Sequence, residues 1–221
     1  MTLRIECADG ANRDRAVAAA LSAVRRGDLV LLPTESAYAL ATDAFSSRGV
    51  AALREVKGYD RRISLPVLVG ARSTVAGVAA RVSDDARLLM DAFWPGTLTL
   101  LVSAQPTLAW DLPGDAPLAV RMPVHPVALA VLSKSGPLVV TSANLPGLPP
   151  PTNVDDALLE LDSSVALALD AGDLADADSL PSTVVDVTGE VPRVVRAGAV
   201  SLTALRGVCP AVVGDDDASG A

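Results

Sequence analysis

Pro137-Leu138-Val139-Val140-Thr141-Ser142-Ala143-Asn144 is the stretch on which the fold turns: an apolar run passes without a break into small hydrogen-bonding side chains. An unbroken apolar run of this length reads as a strand covered on both faces, which is how sheets sandwiched between helices are built. The polar residues that follow would then form a binding loop at its C-terminal edge. The same order recurs in Leu29-Val30-Leu31-Leu32-Pro33-Thr34-Glu35-Ser36, and it is reversed in Pro181-Ser182-Thr183-Val184-Val185-Asp186-Val187. Three strand ends bearing Ser, Thr and Asn are expected to meet in one polar pocket.

Composition narrows the rest. The chain has 221 residues, 50% hydrophobic but only 3% aromatic, so its core must be made of Ala, Val and Leu, which suits a Val-rich sheet under Ala-rich helices. One domain over 1–212 is expected, followed by an acidic, small-residue tail over 213–221 that reads as disordered. A net charge of −8 argues against a broad electrostatic grip on RNA or an anionic membrane, so phosphate must be bound locally and direct RNA binding is not expected. Cys7 and Cys209 are too few and too isolated for a disulfide framework, which fits a reducing cytoplasm. No segment approaches a membrane span, and the N-terminus, with Arg4 and Glu6, does not read as a signal peptide.

Periodicity predicts helices from Asn12 or Asp14 to about Arg26, from Ser46 or Ser47 to Lys57, and over 72–79, 83–92, 126–134 and 154–161. Strands are predicted at 29–32, 66–69, 97–102, 117–121, 137–141, 165–169, 183–187 and 193–196. Several strands lie too close in sequence for helical crossovers between them, so the fold class is α/β with a twisted, mixed parallel and antiparallel sheet and flanking helices. Leu145 to Thr152, with four prolines and one glycine, reads as an irregular loop beside the Thr-Ser-Ala-Asn cluster.

Familiar catalytic devices do not appear. His125, the sole histidine, lies between two prolines and reads as structural; no ligand set has metal-site spacing, and no phosphate-binding Gly-x-x-x-x-Gly-Lys loop occurs. Asp170, Asp173, Asp176 and Asp178 read as a solvated loop rather than a cation site. What remains is a scattered set of anion ligands: Lys57, Arg61, Arg62, Arg121, Arg193 and Arg196. Arg suits carboxylates through its planar fork, and Lys suits phosphate as a compact charge, so a nucleotide and a small carboxylate are the ligands suggested.

Pro33-Thr34-Glu35-Ser36-Ala37-Tyr38-Ala39-Leu40 resembles the Pro-Thr-Asp-Thr-x-Tyr-Gly-Leu signature of the YrdC-like threonylcarbamoyl-adenylate synthases. Six further signatures follow in that family's order: Lys57-Gly58, Pro95-Gly96-Thr97-Leu98-Thr99-Leu100, Val120-Arg121-Met122-Pro123, Thr141-Ser142-Ala143-Asn144, Ser182-Thr183-Val184-Val185-Asp186 and Arg196-Ala197-Gly198. The resemblance implies a YrdC-like fold and a nucleotidyltransferase. Such an enzyme joins L-threonine, bicarbonate and ATP, with Mg2+ accompanying the ATP, into threonylcarbamoyl-AMP and pyrophosphate for modification of tRNA adenosine 37. No permanently bound metal is implied. By resemblance, Lys57, Ser142, Asn144 and Arg196 contact ATP, while Thr34, Tyr38, Arg121 and Ser182 hold threonine and its carbamate. Lys57 and Arg121 are the groups expected to bear on the chemistry. The chain resembles the short-form members, which implies that a separate tRNA threonylcarbamoyl transferase receives the product.

The sequence also departs from the family pattern. Tyr59 stands where a second phosphate-binding Arg is expected, Pro146-Gly147 replaces Ser-Gly, and Ala39, Ser64 and Ala197 replace Gly, Pro and Pro. These changes leave a second reading: a non-catalytic or substrate-altered relative that binds a nucleotide or a partner protein.

Overall fold

In the computed structural model the described residues are 2–108, 110, 116–161, 164–174 and 180–214. The strands are β1 (Leu3–Glu6), β2 (Val30–Pro33), β3 (Tyr38–Asp43), β4 (Val67–Leu68), β5 (Leu98–Val102), β6 (Leu118–Arg121), β7 (Leu138–Ser142), β8 (Leu167–Asp170), β9 (Thr183–Asp186) and β10 (Arg193–Arg196). The helices are α1 (Gly10–Arg25), α2 (Ser47–Lys57), α3 (Val75–Val78), α4 (Asp84–Phe93), α5 (Pro126–Ser135), α6 (Val154–Leu161) and α7 (Leu202–Val208).

Among the described residues the strands make one sheet in the order β1-β8-β2-β3-β7-β4-β6-β5-β9-β10. Its pairing is mixed, as the short connections required. β2 and β3 form an antiparallel hairpin and β3 continues antiparallel onto β7, while β8 lies parallel to β2 and β9 lies parallel to β5. The central runs are covered on both faces because successive strand residues point to opposite sides. Leu29 and Leu31 enter one core with α2, α4, α6 and α7, whereas Val30 and Leu32 enter the other with α1 and α5. Every residue of β2 is buried, as are the first four of β7, and Ser142 at the end of β7 emerges exposed.

Several sequence expectations are corrected. The cap of α1 is Asp9, whose side chain accepts from the Asn12 amide at 2.9 Å, so the helix begins at Gly10, before Asn12 or Asp14. Glycine is a poor helix former, and its presence in the first turn hid the start. The helix expected at 72–79 is a 3-10 turn over Arg72–Thr74 followed by the single turn of α3. β1, β3 and α7 were not anticipated. Of the expected disordered tail, Val213 is ordered against Arg193 in an isolated parallel bridge, and the remainder from 215 onward lies outside the described residues.

Candidate functional site

Three of the polar strand ends open into one cleft of about 260 Å³. Its lining includes Thr34 after β2, Ala39 in β3, Thr141 and Ser142 in β7, Arg121 at the end of β6, Ser182 before β9, and Arg196 ending β10. The sheet order explains the convergence. The hairpin places Thr34 beside β3, β3 pairs with the end of β7 at Ala39–Ser142, and β4 and β6 carry the sheet across to Arg121.

Thr34 is buried and closes the β2–β3 turn, donating from Oγ1 to the Ala37 carbonyl at 2.6 Å. Ser182 is also buried and forms the centre of a polar triad. Its Oγ lies 2.8 Å from Thr99 Oγ1 and accepts from Arg196 Nη2 at 2.9 Å, while its carbonyl accepts from Arg196 Nε at 3.1 Å. The glycine of Arg196-Ala197-Gly198 has a steric cause: a Cβ there would stand 2.2 Å from the Pro181 carbonyl oxygen and 2.6 Å from the Thr183 amide. Only a residue without a side chain lets this loop lie against the backbone that presents Ser182.

Arg121 is held in place from two sides. Nε donates to the Gly96 carbonyl at 2.9 Å, and Nη2 is ion-paired with Glu35 Oε1. Both side chains of the pair are only 15% exposed. Burial, with Arg196 nearby, pushes the Arg121 pKa down to about 10, still far enough above neutral pH for the guanidinium to stay charged.

Lys57 does not reach freely into the cleft. It is the last residue of α2, buried, and its Nζ donates to the Ser142 carbonyl at 3.0 Å and to the Asn144 carbonyl. Gly58 follows it in the left-handed conformation, φ 62°, that ends the helix and turns the chain away. Desolvation lowers the Lys57 pKa, with the Glu160 carboxylate acting in the other direction. Glu160 also accepts from the Leu145 amide at 2.5 Å, so a buried cation and a carboxylate both bear on the loop after β7. Asn144 braces the same loop, donating from Nδ2 to the Leu148 carbonyl at 2.6 Å, while its Oδ1 is buried with no partner among the described residues.

Tyr38 is fully buried, and its hydroxyl is engaged by residues 171–172, which are not part of the cleft lining. It donates to the Gly172 carbonyl at 2.9 Å and accepts from the Ala171 amide at 3.0 Å, an enclosure that pushes its pKa up to about 12 through desolvation. Tyr59 stands beside Lys57, with Nζ 5.8 Å from the ring centre. Arg61 and Arg62 are exposed, and Arg62 is paired with Asp60, so neither lines the cleft. His125 is the N-cap of α5, its Nδ1 accepting from the Val127 amide at 3.3 Å. Asp170 pairs with Arg4 at 2.7 Å, and Asp176 and Asp178 lie outside the described residues. Among the described residues no three His, Cys, Asp or Glu side chains are grouped to hold a metal ion, and no helix is long and apolar enough to cross a membrane. Glu35, Gly96 and Thr99 were not singled out from sequence as site residues, although all three lie inside the quoted motifs.

Comparisons with known proteins bear on the family and the fold. The model of the Sua5/YciO/YrdC family, described as "Telomere recombination", matches residues 22–198. A Mycobacterium tuberculosis protein provisionally named threonylcarbamoyl-AMP synthase is 45% identical over 91% of this chain and 92% of its own length. The threonylcarbamoyl-AMP synthase of Bacillus subtilis is 32% identical over 85% of this chain and 55% of its own. Among solved structures, P. abyssi Sua5 complexed with L-threonine superposes with a TM-score of 0.84 at 26% identity, covering 100% of this chain and 64% of that one. The matched span carries every cleft residue from Thr34 to Arg196, and the chain belongs to the Sua5/YciO/YrdC family.

Proposed function

We propose that the protein is a threonylcarbamoyl-AMP synthase: a cytoplasmic nucleotidyltransferase that makes threonylcarbamoyl-AMP and pyrophosphate from L-threonine, bicarbonate and ATP. The observation that carries this reading is the single cleft in which buried hydroxyls of Thr34 and Ser182 stand with the guanidinium groups of Arg121 and Arg196. Such a site binds, orients and neutralises, and among the described residues neither hydroxyl is hydrogen-bonded to a His, Asp or Glu that would activate it as a nucleophile.

The reaction asks for that much. The amine of threonine adds to carbon dioxide to give a carbamate, and a carbamate oxygen attacks the α-phosphorus of ATP as pyrophosphate leaves. Holding the two reactants in attack geometry and stabilising the charge on phosphorus are the enzyme's contributions. Arg121 takes the carboxylate of threonine, with Thr34 and Ser182 as hydroxyl partners. Ser142 and Arg196 face the phosphates. Lys57 acts from beneath the 142–144 loop, where its charge bears on the same end of the cleft while its hydrogen bonds hold the loop's shape. Asn144 keeps the loop folded, and Tyr38 shapes the cleft through its main chain while its hydroxyl secures residues 171–172. Mg2+ is proposed to arrive on ATP's own phosphate oxygens as part of that substrate. The product then passes to a separate tRNA threonylcarbamoyl transferase.

Pyrophosphate release, measured with each of threonine, bicarbonate and ATP omitted in turn, tests this reading. The reading requires that every omission abolish release. Tyr59 makes a useful second arm, since its ring cannot supply the charge of a guanidinium. If a charge is lacking at the phosphates, Tyr59→Arg raises turnover; if Arg61 or Arg62 moves in when ATP binds, the Arg61→Ala/Arg62→Ala double variant loses turnover instead. ATP binding without threonine-dependent pyrophosphate in any of these proteins favours the nucleotide-binding relative.

A further inference from the structure

Glu35, the ion-pair partner of Arg121, has no part in the chemistry proposed above. Glu35 sits between Thr34 and Ser36, both of which line the cleft, and reaches across to Arg121 Nη2 while its second oxygen accepts from the Val124 amide at 3.4 Å. Arg121 Nε is taken by the Gly96 carbonyl, and no hydrogen bond from Nη1 is formed among the described residues. One edge of the guanidinium is therefore available to an incoming carboxylate while Glu35 keeps the other.

Charge decides what that carboxylate may be attached to. With both side chains 15% exposed, the pair is largely screened from water, and a bare carboxylate would set two anions against Arg121, since Arg196, the other guanidinium of the cleft lining, is engaged by Ser182. A zwitterion brings its own cation. Its carboxylate can take the free edge of Arg121, and its ammonium can take Glu35, so each charge meets an opposite one. We propose that Glu35 is the acceptor for the substrate's α-ammonium group, and that the Arg121–Glu35 pair selects α-amino acids over carboxylates that lack the amine. The proposal rests on reading the cleft as the amino-acid site. It makes Glu35 a specificity-determining residue, present in the free protein as the partner of Arg121 and in the complex as the partner of the ligand's nitrogen.

The test is calorimetric binding of L-threonine and of 3-hydroxybutyrate, which keeps the carboxylate and hydroxyl but has no amine, to wild type, Glu35→Gln and Glu35→Ala. Wild type should prefer threonine. Both variants should weaken threonine by about ten- to a hundredfold, the size expected for losing a hydrogen bond to a charged group. Their affinity for 3-hydroxybutyrate should stay the same or improve, so the preference collapses. ATP affinity and a cooperative melt, recorded on each variant, separate lost recognition from lost fold. Equal tightening of both ligands would mean that Glu35 merely competes for Arg121, and unchanged threonine affinity would mean that it does nothing; either result overturns the proposal and leaves the synthase reading intact. A wild type that binds 3-hydroxybutyrate as tightly as threonine overturns it without any variant. A wild type that binds ATP but no threonine removes the amino-acid reading of the cleft and the role of Glu35 together.

Discussion

On the proposed reading, the amino-acid half of the site depends on Arg121. Its side chain is oriented by Gly96 and Glu35 before any ligand arrives, so a substitution that keeps the charge and loses the fork separates the two contributions. Arg121→Lys should weaken threonine by about 1 to 3 kcal/mol and leave ATP nearly untouched, because a Lys ammonium cannot reproduce planar two-point recognition. Titrating each ligand separately checks this, and equal losses for both would show the assignment to be wrong. Thr34, Ser142, Ser182, Arg121 and Arg196 could be singled out from sequence because they sit at strand ends, where local pattern already says what the backbone does. Lys57 could not be oriented the same way. Its Nζ is directed by a carbonyl 85 residues further along the chain, and the inward turn appears only once α2 and β7 are packed together. Glu35 is illegible in the sequence for a similar reason: its partner lies on β6, and an acidic residue in a turn reads as solvated until the sheet brings Arg121 over it.

At the scale of the element, the strands most legible in the sequence are those whose apolar runs are continuous because both faces are covered. β3 is equally buried but was missed: Tyr-Ala-Leu-Ala-Thr-Asp contains two alanines, which carry no strand preference, and its state is set by pairing with β2 on one side and β7 on the other. β1, Leu-Arg-Ile-Glu, has no continuous apolar run, and α7 is only seven residues long, too short for its period to register. The Arg196-Ala197-Gly198 turn is an element whose packing can be tested directly. Gly198→Ala would drive a methyl group against the backbone on either side of Ser182, and backbone cannot move aside as a flexible side chain can. The expected outcome is a loss of about 1 to 3 kcal/mol in stability, as for other overpacked sites, together with weakened threonine binding. Denaturant melts and ligand titration measure the two effects; a variant unchanged in both would show that the turn has room to relax.

Over the whole molecule, two buried groups near the C-terminal end of β8 tie stability to pH. Desolvation pushes the Cys7 thiol up to about 11 from 9.0, and the Tyr38 hydroxyl up to about 12 from 10.0. Both bind their protons more tightly folded than unfolded. Their contribution is complete below pH 9 and is lost as the pH rises toward the folded values, because the unfolded chain ionises first. Urea melts at pH 8 and pH 10.5 should therefore differ by about 1 to 2 kcal/mol on account of Cys7, and Cys7→Ser should shrink the difference. A stability that does not fall across that interval would contradict the burial of both groups. Ligand binding acts on the folded state in the other direction: ATP with Mg2+, and threonine, each at a hundred times its Kd, should raise the melting temperature by roughly 5 to 10 °C.

The central claim is that one cleft joins a carbon from bicarbonate to threonine and adenylate. Mass spectrometry of the reaction mixture, with isotopically labelled bicarbonate, unlabelled threonine and ATP, tests it most directly. The account predicts a product with the mass of threonylcarbamoyl-AMP carrying the label, formed in step with pyrophosphate and lost in Arg121→Ala. Pyrophosphate or AMP without any labelled adenylate, or a labelled adenylate that persists in Arg121→Ala at the wild-type rate, would contradict it.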